Sequence, residues 1–552
     1  MIDCRMGVSP LPRSRGEEQG GGATTTALFI LSILLVMPVA AAEFNVRDHG
    51  AKGDGKAIDS PAINAAIDAA ASQGGGTVVL PPGTYLGFSI HLKNQVTLRF
   101  DAGAILKAAT PAAGVGEYDA PEPNEWGDRL QYQDFGHSHW HNSLIWAEDV
   151  HDVAIVGAGL IDGTALLREA GYSATAAAAG PNGTIPVGAM KPPVSDAASA
   201  LTPPGSTLNQ GNKAIAFKNA RNVTVRGISV LRGGHFAILA SGVDGLTLQD
   251  LTIDTNRDGL DIDASRNVRV ENCKVNSPHD DAIVLKSSYA LGAVRATENV
   301  TVTNCSVTGF DIGTLLDGTR GRTTLRAPDQ DGPTGRIKIG TETNGAFRNI
   351  RISNCSFERS RGLALETVDG GVIEDVTIDN IRMRDINNPL VFLRIGNRAR
   401  GPAGTAIGTI RRVKISHVSA EDVDSRYASI LLAGLPGHSI EDVQLSDITI
   451  AARGGLTPEI VAQQPANLVN AFFLDKKEAG ALGPRDPYAV PQRERGYPEP
   501  SMFGLLPASV VYARHVRTLG IQALQATLAL PDTRPRIILE DVSNAQLGKG
   551  SY

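Results

Sequence analysis

The sequence predicts an all-β fold, a single-stranded right-handed parallel β-helix (a solenoid) with an N-terminal capping helix. Three observations lead there: a short apolar-polar pattern that recurs along most of the chain, near-constant spacing between adjacent copies, and a composition rich in glycine and poor in aromatics. The 552 residues include 60 glycines and only 5% aromatics. Length alone would allow two or more domains, but this texture suits one long repetitive β domain.

The repeated unit reads Asn-Val-x-Val and is followed by a polar pair and a second apolar alternation. Copies stand at Asn222-Val223-Thr224-Val225, Gly245-Leu246-Thr247-Leu248, Asn267-Val268-Arg269-Val270, Asn299-Val300-Thr301-Val302, Asn349-Ile350-Arg351-Ile352, Asp375-Val376-Thr377-Ile378, Arg412-Val413-Lys414-Ile415 and Asp442-Val443-Gln444-Leu445. Earlier copies are Val96-Thr97-Leu98 and Val153-Ala154-Ile155. Copies at 223, 246 and 268 lie 23 and 22 residues apart, room for about three short strands joined by tight bends. Longer gaps, such as 300 to 350, are the same coil with a loop inserted. Alternation sends the aliphatic residues inward and Thr, Arg and Lys outward. One coil cannot bury its own apolar edge, and stacking at about 4.8 Å per coil makes a continuous core. A β-sandwich also has short strands and regular turns, but the near-constant spacing of like copies favours the solenoid.

A solenoid needs a cap. Asp59 followed by Pro61 opens an amphipathic helix with Ile63, Ala66, Ile67 and Ala70 on one face, and Gly74-Gly75-Gly76 stops it. Two Gly/Pro/Ala-rich stretches, near 164–212 and 453–505, exceed ordinary turns and are expected to wall a cleft. Within the second, Tyr497-Pro498-Glu499-Pro500 reads as plain loop.

The apolar run Ala27 to Val36, with Arg13 and Arg15 before it and Pro38 and Val39-Ala40-Ala41-Ala42 after it, reads as a secretory signal peptide over residues 1–42. Residues 43–552 are then the β-helical catalytic domain, secreted to an extracellular or periplasmic space without a stable membrane anchor. The net charge of −6, with no basic stripe, excludes nucleic acid as the expected partner. Oligomeric state leaves no mark in the sequence. Beyond Cys4, the cysteines Cys273, Cys305 and Cys355 each follow an asparagine in similar contexts. An odd number at no metal-like spacing predicts stacked, buried core thiols instead of disulfides or a zinc site.

The chemistry concentrates in two adjacent coils, Asn256-Arg257-Asp258-Gly259-Leu260-Asp261-Ile262-Asp263 and His279-Asp280-Asp281-Ala282-Ile283-Val284-Leu285-Lys286-Ser287. Asp258 and Asp280 are 22 residues apart, which predicts that they share a register, one coil apart, with Asp281 beside them. Carboxylates so close repel one another, and the cluster relieves this by keeping a proton on one member. A protonated carboxyl can then donate to a leaving oxygen while an ionised one works on a water or the sugar. Single Asp residues also cap turns and acidic clusters in solenoids also hold Ca²⁺, but a registered trio beside Lys286 favours catalysis. His137 and His139 stand at no spacing that a carboxylate completes for a metal, so neither a metal nor another cofactor is expected. His235-Phe236 and the His137-Ser138-His139-Trp140-His141 run could stack on sugar rings or pack in the core.

On these residues the sequence resembles glycoside hydrolase family 28, the polygalacturonase and rhamnogalacturonase family of right-handed β-helices. Phe44-Asn45-Val46-Arg47-Asp48-His49-Gly50-Ala51-Lys52-Gly53-Asp54-Gly55 with Gly74-Gly75-Gly76-Thr77-Val78-Val79-Leu80-Pro81-Pro82-Gly83-Thr84-Tyr85 is similar to the opening shared by pectin-degrading β-helices. The family's Asn-Thr-Asp motif matches Asn256-Arg257-Asp258, with Arg257 in the Thr place, and its Gly-Asp-Asp motif matches His279-Asp280-Asp281, with His279 in the Gly place. The resemblance implies an inverting hydrolase of a pectic or related plant-type glycan, with Asp280 as general acid and Asp258 and Asp281 as bases. Stacking at about 4.8 Å is closer than the ~6.5–9.5 Å usual for inversion, so distance alone would suggest retention.

The sequence also departs from the family. The Gly-His-Gly motif should fall near Thr334 to Gly340, where no histidine stands, and the carboxylate-gripping Arg-Ile-Lys near Gly362 to Thr367, where Ala364 and Glu366 replace Arg and Lys. Arg336 and Lys338 form an Arg-x-Lys pair one coil early, on one face of a strand, either as a displaced uronate grip or as balance for nearby acids. A carboxylate at 366 would repel a uronate, so unbranched polygalacturonate is expected to be a poor substrate beside a rhamnose-containing or branched pectic oligosaccharide. Catalytic candidates are therefore Asp258, Asp280 and Asp281, and substrate-binding candidates are Lys286, Arg336, Lys338, His279, Arg257, Trp140 and His235. Two alternatives use the same fold: a Ca²⁺-dependent polysaccharide lyase, and a glycan-binding solenoid without catalysis.

Overall fold

A computed structural model describes residues 42–127, 132–167, 208–474 and 483–550. The signal-peptide segment and most of the 164–212 stretch lie outside the described residues. All strand ladders within them are parallel, and the paired strands follow one another coil by coil. The repeated positions stack as read from the sequence. Val153, Val223, Leu246, Val268, Val300, Ile350, Val376, Val413, Val443 and Leu519 pair in succession. The fold is a right-handed parallel β-helix.

The asparagine before each apolar pair has a backbone cause. Asn222, Asn267, Asn299 and Asn349 have φ of 52–57°, the left-handed region that Asn and Asp tolerate because their short polar side chains bond locally. Five residues on, Asn272, Asn304 and Asn354 bend again at φ of 55–56°. Each middle strand is thus bounded by two left-handed bends. The outer bends also stack: the Asn299 side chain donates to Asn267 at 3.2 Å and Asn349 donates to Asn299 at 2.8 Å. Cys273, Cys305 and Cys355 follow the second bend as buried free thiols, inside one continuous aliphatic core that runs from Val46 to Ala526.

The helix Ser60–Ser72 caps this core, with Ile63, Ala66, Ile67 and Ala70 buried. Asp59 does not cap it with its side chain, which instead accepts from the N–H groups of Lys52 and Gly53 at 2.6 and 3.1 Å. Among the described residues no helix is long and apolar enough to cross a membrane.

One register expectation is corrected. Thr252, Ile253 and Asp254 pair with Lys274, Val275 and Asn276, an offset of 22, but Leu260 pairs with Ile283 and Asp263 with Lys286, an offset of 23. One extra residue is taken up in the bend between Asn276 and Ile283. Asp281 therefore lies against Asp258, as the bond from Gly259 N–H to the Asp281 carbonyl (3.0 Å) requires, and Asp280 belongs to the bend.

Candidate active site

The strands Phe236–Ser241, Asp258–Asp263, Ile283–Ser287, Ile337–Thr343 and Leu363–Thr367 lie side by side in one face of the solenoid. Alternation sends Leu260, Ile262, Ile283, Leu285, Ile337, Ile339 and Leu363 into the core. It leaves Asp261, Asp263, Lys286, Lys338 and Glu366 on the outer side. These polar side chains are nevertheless buried, because loops close over them. The coils come close at this point: a Cβ on Gly259 would sit 2.4 Å from Val275 Cγ1 and 2.5 Å from the Ala282 carbonyl, so only glycine fits beside Asp258.

Asp258, Asp280 and Asp281 converge, with one carboxylate oxygen from each lying within 4.8 Å of the others. The Asp281 N–H donates to Asp258 Oδ1 at 3.2 Å and to Asp280 Oδ1 at 3.0 Å. Cations sit around the trio. Arg257 is 2.8 Å from Asp280. Arg336 Nε donates to Asp281 Oδ1 at 2.5 Å, and Lys338 lies 3.3 Å from Asp281 Oδ2. Lys286 is 3.6 Å from Asp258, 3.2 Å from Asp261 and 3.2 Å from Glu342, and its ammonium touches His137 Nε2.

Electrostatics divide the roles. Burial, reinforced by the negative charge of Asp280, raises the Asp258 carboxyl well above the usual carboxylate range. Burial opposes the charge on Lys286, but Asp261, Glu342 and Asp258 outweigh it and hold the ammonium protonated. Burial lifts Glu366 to about 7 despite Lys338 nearby. Whereas the resemblance gives the proton to Asp280, burial and the neighbouring Asp280 charge favour the protonated form of Asp258.

The pocket over this cluster is lined by residues from distant segments, among them Asp134, His137, Asp329, Glu342, Arg361, Arg400, Phe472, Phe473, Tyr497 and Glu499. The Phe473 and Tyr497 rings stack at 4.8 Å and 12°, forming an aromatic wall. Lys338 lies 5.7 Å from the centroid of Tyr497. Glu499 binds Arg336 through both oxygens, Oε1 to NH2 at 2.5 Å and Oε2 to NH1 at 3.1 Å.

Two family profiles match the chain: "Rhamnogalacturonase A/epimerase, pectate lyase-like" over residues 43–132 and "Right handed beta helix region" over residues 196–328. A polygalacturonase of Chamaecyparis obtusa is 21% identical over 431 residues, 75% of this chain and 68% of that protein. Alginate lyase 7 of Azotobacter vinelandii is 67% identical over 90 residues, 16% of this chain and only 10% of that protein. Among solved structures, the exopolygalacturonase of Thermotoga maritima aligns with TM-score 0.55 and 21% identity, covering 74% of this chain and 87% of its own. The family 28 exopolygalacturonase of Yersinia enterocolitica aligns with TM-score 0.58 and 17% identity, covering 92% and 79%. At these identities the structural likeness is one of fold.

The chain is a right-handed parallel β-helix similar to polygalacturonases.

In this chain the structure brings Asp258, Asp280, Asp281, Lys286, Arg257, His279, Arg336 and Lys338 to the same pocket. Two sequence candidates are corrected. Trp140 is fully buried among Ala216, Phe236, Leu239 and Ala290, and its Nε1 donates to Ser241 Oγ at 3.1 Å, so no sugar can reach its ring. His235 is buried behind His137, ring centroids 5.7 Å apart, and does not line the pocket. The pocket's aromatics are instead Phe472, Phe473 and Tyr497, and Tyr497 and Glu499 come from the stretch read as plain loop. Arg336 and Lys338 are not an open grip, because Asp281, Glu366 and Glu499 already meet their charges.

Carboxylates do reach His137 in space, contrary to the sequence spacing: Asp134 with His235, and Asp258 with Asp261, gather at its ring. Positive charge there comes from Lys286. Of the residues missed, Asp261 and Glu342 stand on the strands Asp258–Asp263 and Ile337–Thr343, whereas Arg400, Phe473 and Glu499 arrive from loops whose own sequence carries no signal.

Proposed function

We propose that this chain is an inverting glycoside hydrolase acting on a pectin-type polysaccharide or oligosaccharide through Asp258, Asp280 and Asp281. The observation that supports it is the convergence of three carboxylates within 4.8 Å in a pocket walled by stacked aromatic rings. Asp281, held between Arg336 and Lys338, stays available as a base that draws a proton from the attacking water. The cluster's proton rests on Asp258. It passes to Asp280, whose carboxylate oxygen lies within 4.8 Å, and Asp280, at 28% side-chain exposure the most open of the three, donates it to the leaving oxygen. Phe473 and Tyr497 offer apolar ring faces to the sugar.

Purified protein incubated with a panel of pectic oligosaccharides, with products read by mass and by the anomeric configuration released, tests this reading. An inverted product supports it. A retained product, or no product from any pectic glycan, counts against it. The short, high-identity match to an alginate lyase favours a second reading, β-elimination, which would give an unsaturated product absorbing in the ultraviolet and loss of activity with chelators. Export is part of the proposal: N-terminal sequencing of secreted material should place the start at or near Glu43, and a start upstream of Ala27 contradicts it.

A further inference from the structure

We propose that Glu499 is a specificity-determining residue: it occupies the carboxylate-binding fork of Arg336 and so restricts the pocket to an uncharged glycosyl unit, excluding uronates. This rests on the reading of the pocket as a glycan site.

An arginine fork offers a bidentate carboxylate two parallel N–H groups. Both are taken here by one carboxylate of the protein itself, with NH2 2.5 Å and NH1 3.1 Å from Glu499. The third donor direction, Nε, goes to Asp281 Oδ1 at 2.5 Å. Lys338 is divided between Asp281 and Glu366, at 3.3 and 3.5 Å. Arg361, which also reaches Glu499 at 3.6 Å, has its own guanidinium on Asp329. Seven carboxylates and six lysine and arginine cations line the pocket, so the charges balance once the aspartate cluster holds its proton. A uronate would add an anion with no cation left to meet it, and burying an unpaired charge is strongly unfavourable.

Displacing Glu499 is not an easy alternative. It stands between Pro498 and Pro500, whose rings limit the backbone on both sides, and the residue is 2% exposed. An uncharged ring needs no such exchange, since it can lie on Tyr497 and Phe473 and hydrogen-bond to the already paired charges. The assignment concerns one sugar position; it leaves the sugar on the other side of the cut unrestricted.

The test compares two monosaccharide probes without a scissile bond, galacturonic acid and its methyl ester, titrated calorimetrically at pH 7 into the full chain. The wild type should bind the ester at least about tenfold more tightly than the acid. Glu499→Gln, which keeps the side-chain shape but removes the anion that meets Arg336, leaves one positive charge of the pocket for the ligand and should raise affinity for the acid about tenfold or more, with that for the ester staying within about threefold. Equal binding of acid and ester by the wild type overturns the proposal, and so does a Glu499→Gln protein whose preference is unchanged, or a wild type that binds neither probe. The wild-type ratio needs no variant, so a variant that does not fold leaves that arm decisive. Turnover is read separately: hydrolysis of a glycan with equal binding of acid and ester keeps the hydrolase reading and removes the role of Glu499. Discrimination that follows residue 499 without hydrolysis does the reverse.

Discussion

Arg257 NH2 lies 2.8 Å from Asp280 Oδ2, and the arginine stands where the resembled family has threonine. The pair ties the aspartate taken up in the bend to the coil before it and supplies a positive charge beside a carboxyl that has to pass on a proton. Replacing Arg257 with Thr removes a positive charge that lowers the pKa of the Asp258 carboxyl against its burial. The cluster should then keep its proton to higher pH, moving the alkaline limb of the kcat/KM profile up. An unmoved alkaline limb would show that this ion pair does not govern the proton.

Asn at 280 keeps the size of the aspartate but is no useful proton donor. Asp280→Asn should lose about 10² to 10⁴ in kcat while the circular dichroism spectrum and sugar affinity hold. Asp258→Asn and Asp281→Asn should be comparably damaging, the first by removing the resting proton and the second by removing the base. Near wild-type turnover in Asp280→Asn would contradict the mechanism.

Phe473 and Tyr497 make the aromatic wall, so Tyr497→Ala and Phe473→Ala should weaken substrate binding more than the chemical step. Each lost ring contact is worth about 0.5–1.5 kcal/mol, or roughly twofold to thirteenfold in KM, with kcat changed less. Steady-state kinetics on the best pectic oligosaccharide decide it; unchanged KM in both variants would remove these rings from the substrate path.

Lys213 is fully buried, with its ammonium 2.7 Å from Asn212 Oδ1 and 3.4 Å from Asn142 Oδ1, and burial lowers its pKa to about 7. A base depressed in the folded state is neutral there over a range in which the unfolded chain still binds the proton. Stability should therefore rise with pH from about 7 towards the ordinary lysine value, by about 1.4 kcal/mol per unit of depression. Lys213→Met should raise the thermal midpoint most at pH 6 and flatten this part of the stability profile. A variant with the wild-type slope between pH 7 and 10 would show that Lys213 is not the titrating group.

The repeat was legible because a solenoid writes its geometry locally. Asn267, Asn299 and Asn349 mark left-handed bends that any observer can find in the sequence, and Val268, Val300 and Ile350 mark the core positions one coil apart. The catalytic coils stood out for a similar reason: Asp258 opens the strand Asp258–Asp263, and Asp280 and Asp281 sit just before the strand Ile283–Ser287, so acidic residues cluster at equivalent places of successive coils. Their register was misjudged by one residue, since a bend that takes up an extra residue leaves both flanking strands looking regular. Trp140 and His235 misled because an aromatic run has the same composition whether it faces solvent or core.

The sequence by itself determined the β-helix, its capping helix and the coil that carries the aspartates, because these depend on periodicity and backbone preference between residues close in the chain. Only the tertiary structure decided what surrounds those aspartates. Arg336 binds Glu499 from 163 residues away, and His137 meets Lys286 across 149. No local pattern encodes such contacts, because they arise where long loops fold back over the sheet, and the charge balance that sets the proton's place and the pocket's selectivity exists only once those loops are closed.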